Sequence, residues 1–226
     1  MSPRCAELVV HRCAPWIGVL AALLLAGCGA SAPTRPDEAG APAPAESVPG
    51  AAPEDVPEAA VRSHELAIAA MRRGDFTEAE LELEQLMLAY PQLPGPYVNA
   101  AIVYRRDGRD ADALAAIERA LEIDPGHPEA NNQLGILLRE CGDFAGAEQA
   151  YRRALETRPD YPLALYNLGV LLDLYLRRPA EALALYERYQ AVRPQPDETV
   201  ALWIIDLRRR VEAEDAAARV AKEEGG

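Results

Sequence analysis

Few side chains in this sequence are equipped for covalent or metal chemistry. The four cysteines are Cys5, Cys13, Cys28 and Cys141, the three histidines are His11, His64 and His127, and from residue 58 onward Ser63 is the single serine. Nucleophilic catalysis needs a nucleophile, a base and a group that orients the base, and a zinc site needs three or four ligands. No Gly-rich phosphate loop follows a strand, and no HExxH pair sits on a helix. The expectation is a protein that is not an enzyme, takes no metal or cofactor, and has no small-molecule substrate. Glu78, Glu80, Glu82 and Glu84 alternate with apolar residues, which places like charges on a solvated helix face rather than around a cation. Arg208-Arg209-Arg210 reads as surface, and His127, in Pro125-Gly126-His127-Pro128, as a solvated turn residue.

Net charge narrows the partners. With 23 Lys+Arg against 36 Asp+Glu among 226 residues, the formal charge is −13. Binding a phosphate backbone requires a basic face that releases counterions, so nucleic acid is not expected. Anionic membrane surfaces are disfavoured for the same reason.

The N-terminus carries Arg4, His11 and Arg12, an apolar run from Ala14 to Leu25, and then Leu25-Ala26-Gly27-Cys28. That run is shorter than the roughly 20 residues a membrane-spanning helix needs, so it reads as an export signal over 1–27. The tetrapeptide resembles the bacterial lipoprotein box. The resemblance implies a diacylglyceryl group on the Cys28 thiol, cleavage before it, and acylation of the new amino group, including palmitate. Gly29 rather than Asp comes next, which in that family favours the outer membrane. Losing Arg4, Arg12 and Glu7 with the signal takes the 23 and 36 charges to 21 basic and 35 acidic, a formal −14. Cys141 is then the one thiol left beside the lipidated Cys28, and it reads as a partly buried small apolar residue. Residues 29–57 hold seven prolines among Ala, Gly, Ser and acids. With Cys28 they form a disordered, partly polyproline tether over 28–57, whose extended reach is on the order of 90 Å at about 3.1 Å per residue.

Beyond the tether the sequence is periodic. Gly74, Gly108 and Gly142 are 34 residues apart, as are Pro91, Pro125 and Pro159, and Ala79, Ala113 and Ala147. Phe76, Asp110 and Phe144 keep this register, and so do Leu83, Ile117 and Tyr151. With Ala60, Pro94 and Pro128 as first positions, Leu66, Tyr97, Tyr104, Ala120, Leu134, Gly135 and Ala154 complete a pattern that resembles the tetratricopeptide repeat. The resemblance implies an all-α fold: a right-handed superhelical solenoid of helix-turn-helix units, with a concave groove lined by each unit's first helix. Small residues sit where helices approach closely, Gly supplies the positive φ after helix A, and Pro ends helix B. Four repeats are expected over 58–195, at 60–93, 94–127, 128–161 and 162–195. In the fourth, Pro194 comes 35 residues after Pro159 and the turn glycine is missing, which places an inserted residue in the Leu174–Arg178 turn. Val200, Trp203, Ile204, Leu207 and Val211 then form one stripe of a capping helix with a polar outer face, within a C-terminal segment 196–226 expected to fray beyond Glu212.

In the family, ligand contacts come from fixed helix-A positions. Here these hold His64, Ile68 and Met71; Val98, Asn99, Ile102, Arg105 and Arg106; Asn132, Gln133, Ile136 and Arg139; and Tyr166, Asn167, Val170 and Asp173. Ile68, Ile102, Ile136 and Val170 make an apolar stripe, Arg105 and Arg139 a basic strip beside it, and Asn99, Asn132 and Asn167 offer amides to a peptide backbone. The carboxylate clamp of chaperone-binding members is not matched, because His64, Ile68, Glu129 and Gln133 stand where its basic and amide groups belong. The chain looks like outer-membrane lipoproteins that pilot or stabilise type IV pilus secretins, and like those that scaffold peptidoglycan hydrolases or synthases. The expectation is a lipid-anchored adaptor with its folded part in the periplasm, binding envelope proteins through the groove, with a self-assembling envelope protein as the alternative.

Overall fold

The computed structural model describes residues 56–224, and every regular element among them is helical. The export signal, Cys28 and nearly all of the tether lie outside the described residues. Helices pair in chain order: α1 (Glu58–Arg73) with α2 (Phe76–Ala89), α3 (Pro94–Arg106) with α4 (Asp110–Ile123), and α5 (Pro128–Glu140) with α6 (Phe144–Thr157). In the fourth pair, α7 (Pro162–Val170) runs into a π-helical turn at Leu171–Tyr175 before α8 (Pro179–Val192). A long helix, α9 (Glu198–Glu224), closes the array.

The turn chemistry explains each boundary. Pro94, Pro128 and Pro162 open three of the A helices at N1, where a missing N–H costs nothing. Gly74, Gly108 and Gly142 have φ of 81°, 73° and 82°, a left-handed conformation that ends helix A. The next amide closes the turn in each case, as when Asp143 N–H donates to the Leu138 carbonyl at 2.9 Å. Asp75 and Asp143 cap the following B helices, accepting from Glu78 N–H at 3.1 Å and Gly146 N–H at 2.9 Å.

The fourth repeat corrects the expected position of the insertion. The extra residue is absorbed upstream of the turn, in the π-helical segment, where Leu176 N–H reaches back to the Leu171 carbonyl at 3.0 Å. Arg177, at φ 51°, takes the left-handed place held by glycine in the other repeats. Widening one turn by a residue keeps the apolar faces on either side in register, at the cost of a non-glycine residue in a disfavoured backbone region.

Packing depends on size. Gly135 and Gly169 lie against the rings of Tyr151 and Tyr186, and a Cβ on either would come to 2.5 Å and 2.7 Å of ring carbons. Both tyrosines are essentially fully buried. The equivalent positions in the first two repeats hold Ala67 with Leu83 and Ala101 with Ile117, all buried in the same core. Each repeat thus fills one hole with either a small pair or a glycine and a ring.

Each B helix packs on its own A helix and on the next one. Successive A helices also touch, α1 with α3, α3 with α5 and α5 with α7, while among the described residues no comparable contact joins successive B helices. The A layer is therefore the inner side of the curve. On the outer side the repeats go two by two. Asp75 and Phe76 recur at Asp143 and Phe144, and Glu80 recurs at Glu148. The intervening B helices begin instead with arginines that strap back across the joint. Arg109 binds Glu80 at 2.6 Å, and Arg178 binds Glu148 at 2.8 Å. The first and third joints each carry such a strap.

Two expectations for α9 are corrected. The helix does not fray at Glu212 but continues to Glu224, because Ala, Glu, Arg and Lys are strong helix formers and no Gly or Pro interrupts them. Its outer face is also not polar. Val200, Ile204 and Leu207 are buried against the fourth repeat, yet Leu202 is 67% exposed, Ile205 48% and Val220 52%.

Candidate interaction groove

On the inner face, Ile68, Ile102, Ile136 and Val170 recur at one position of successive A helices, and all four are half-buried. The A helices bring these residues together as a continuous apolar strip. Beside it runs a row of side chains in which two polar pairs are bonded between successive repeats. Asn99 Nδ2 meets His64 Nε2 at 2.7 Å, and Asn167 Nδ2 donates to Asn132 Oδ1 at 3.0 Å. The equivalent positions between these pairs hold Val98, buried, and Gln133, half-buried.

This row revises several expected contacts. Asn132 is 1% exposed, so its amide orients Asn167 rather than meeting a ligand. Arg105 and Arg139 are not an open basic strip. The Arg105 guanidinium is paired with Glu140 at 3.1 Å. Arg139 donates to the Tyr175 hydroxyl at 3.3 Å and lies beside the buried Tyr151, whose phenol burial pushes up to about 12 against the pull of that arginine. Arg106 turns away to stack on Phe76, 3.4 Å from the ring centroid. Tyr166 packs with Tyr186, Tyr189 and Trp203, with centroids 5.5–6.4 Å away, so the far end of the groove is walled by α9. Met71 packs half-buried on the core, and Asp173 is held by Arg210 of α9 at 2.7 Å. Glu140, Tyr175 and Trp203 were not among the candidate residues. Glu140 and Tyr175 lie one repeat beyond the arginines they hold, and a search for complementary groups at that offset finds them.

His127 is not a solvated turn residue. Its Nδ1 accepts from Ala130 N–H at 3.3 Å and caps α5, and its side chain is 18% exposed. Burial lowers the pKa of both His127 and His64 below 6.5, outweighing the nearby carboxylates that raise them. Both accept in the neutral form: His64 Nε2 from Asn99, His127 Nδ1 from the backbone. A histidine whose folded pKa is depressed stabilises the fold fully above its unfolded pKa, and that stability is lost as pH falls through about 6.5 toward the folded value. The melting temperature is therefore expected to fall between pH 7.5 and 5.5. A His64→Gln/His127→Asn variant, which keeps an acceptor at each place, flattens that limb; an equally steep limb in the variant assigns the loss to other groups.

Among the described residues no cluster of three metal-capable side chains occurs. No helix among them is long and apolar enough to cross a membrane.

Comparison with known proteins fits this geometry. One tetratricopeptide-repeat family model matches residues 92–160, and a second matches 132–199. No curated protein sequence matches the chain. Among solved structures the chain is similar to PilF of Pseudomonas aeruginosa at 24% identity, covering 72% of each chain with a TM-score of 0.61. It is similar to a thermophilic TPR protein of Thermus thermophilus at 22% identity, covering 66% of this chain and 80% of that one with a TM-score of 0.57. A MamA protein matches at 21% identity over 73% of this chain and 89% of its own, with a TM-score of 0.54. Identities this low speak for the fold alone. The helical array of this chain is a tetratricopeptide-repeat solenoid with an apolar strip along its inner face.

Proposed function

We propose that the chain is a non-enzymatic adaptor, lipid-anchored at the outer membrane through Cys28, which holds a segment of an envelope protein in its inner groove. The observation that carries this reading is the half-exposed strip Ile68, Ile102, Ile136 and Val170 on the concave layer. A folded chain keeps such a strip in water at a cost, and a partner's apolar side chains recover that burial. Around the strip, Asn99, Asn167 and Arg105 are pre-positioned by their bonds to neighbouring repeats, so a ligand finds polar groups already ordered. The Gln133 amide, between the two bonded pairs, reads the ligand backbone. A place in pilus or secretin assembly follows from the resemblance to pilus lipoproteins read in the sequence, and the fold likeness to PilF agrees with it.

A photo-crosslinking residue at Gln133, used in intact envelopes, tests this. The expected result is a protein adduct that disappears when Ile102 and Ile136 are both changed to Asp. Secretin in the adduct supports the pilus role, peptidoglycan hydrolases or synthases move the adaptor to the cell wall, and an adduct indifferent to the aspartates places the binding site elsewhere. In the same cells, Cys28→Ser is expected to shift the protein from the membrane pellet to the soluble fraction.

A further inference from the structure

Helix α9 has two apolar faces. Val200, Ile204 and Leu207 are buried against the fourth repeat. Turned by half a revolution, the opposite face carries Leu202, Ile205, Ala213, Ala216 and Val220, all exposed. With Arg209 between Ile205 and Ala213, successive members lie three or four residues apart, the pattern by which one helix meets another along a seam. A solenoid normally ends in a polar surface, which keeps its last repeat from stacking on a neighbour. This one ends in a second seam, on a helix that projects by 13 residues, or about 20 Å, past Val211.

The charges on that face choose the occupant. Arg209 lies in the middle of the stripe. Its neighbours Arg208 and Arg210 are engaged inward, with Glu187 at 2.7 Å and Asp173 at 2.7 Å, while among the described residues no carboxylate pairs with Arg209. Glu212 lies one turn on, at the edge of the same face. When the helix pairs with a copy of itself running antiparallel about Val211, Leu202 meets Val220 of the other copy and Arg209 comes opposite Ala213, one residue from Glu212 and within its reach. When it pairs in parallel, Arg209 faces Arg209 and Glu212 faces Glu212, and like charges oppose association.

We infer that the outer face of α9 is a dimerisation surface whose partner is a second copy of this chain, joined antiparallel through α9 about a two-fold axis. The contact is isologous and closes on itself, so it yields dimers rather than filaments. The seam residues are distinct from those that line the inner groove.

Sedimentation equilibrium of the full chain in detergent tests this. A dimer is expected, and Leu202→Glu with Val220→Glu is expected to raise its dissociation constant by roughly tenfold or more, while the melting temperature measured at dilutions that keep the chain monomeric stays the same, since both positions are exposed in the single chain. Arg209→Glu weakens the dimer, and adding Glu212→Arg restores it. Orientation is read by mixing chains carrying Leu202→Cys with chains carrying Val220→Cys. Oxidative crosslinking between the two species supports the antiparallel seam, whereas Leu202→Cys chains crosslinking to one another overturn it. A monomer at the highest concentration reached, or a dimer indifferent to the glutamates, also overturns the proposal.

Discussion

Substituting Gly135 by alanine destabilises the solenoid by up to about 2 kcal/mol, although alanine is the better helix former by about 1 kcal/mol. The added Cβ would sit 2.5, 2.6 and 2.8 Å from three ring carbons of Tyr151. That ring is fully buried and cannot withdraw without displacing the α5–α6 joint, and overpacking of this kind costs about 1–3 kcal/mol. The remedy is already present in the chain. Ala67 with Leu83 and Ala101 with Ile117 fill the same place in the first two repeats, so Tyr151→Leu in the Gly135→Ala background recreates a combination the fold accepts. Tyr151→Leu alone leaves a hole beside Gly135. The double variant is expected to be more stable than the sum of the two single losses, with a coupling of about 1–3 kcal/mol measured by denaturant melts. Strict additivity would mean that the glycine is there for some other reason.

Leu207→Ala is expected to cost about 2–4 kcal/mol, near the middle of the range for truncating a fully buried leucine. Leu207 is 0% exposed, on the face of α9 that covers the fourth repeat. Its loss loosens the packing that holds Trp203 against Tyr166 and Tyr186, at centroid distances of 6.0 and 5.6 Å. Tryptophan fluorescence therefore reports the change early, and the fourth repeat is expected to open before the first three. Leu202→Ala, five residues away on the same helix, is the control. At 67% exposure it should stay within about 0.5 kcal/mol of the parent protein under conditions that keep the chain monomeric. Equal losses at the two positions would refute the two-faced description of α9.

Most of the architecture was legible from the spacing of Gly74, Gly108 and Gly142 and of the prolines that end the B helices, because those residues act through the backbone and need no partner to do so. The insertion in the fourth repeat was visible as a count but not as a place. An added residue can sit in any turn that tolerates it, and only the hydrogen bond from Leu176 to Leu171 assigns it to the end of helix A. The groove was legible at half depth. Ile68, Ile102, Ile136 and Val170 stand at a helix-A position that the repeat resemblance assigns to ligand contact, whereas the fate of Asn132, Arg105 and Arg139 depends on what the next repeat brings alongside. The outer face of α9 was missed because Val200, Trp203, Ile204, Leu207 and Val211 make so clear a stripe that Leu202, Ile205 and Val220 pass for incidental surface.

The straps formed by Arg109 with Glu80 and by Arg178 with Glu148 have a consequence for how this array can lengthen or shorten. A single repeat removed from the chain would leave an arginine without its glutamate, or bring two aspartate-capped helices side by side with no tie across the joint. A block of two carries its own tie and meets its neighbours through the same kind of joint as before. The unit of growth for this molecule is therefore the pair, and a chain of six such repeats would keep every local rule that this chain of four obeys.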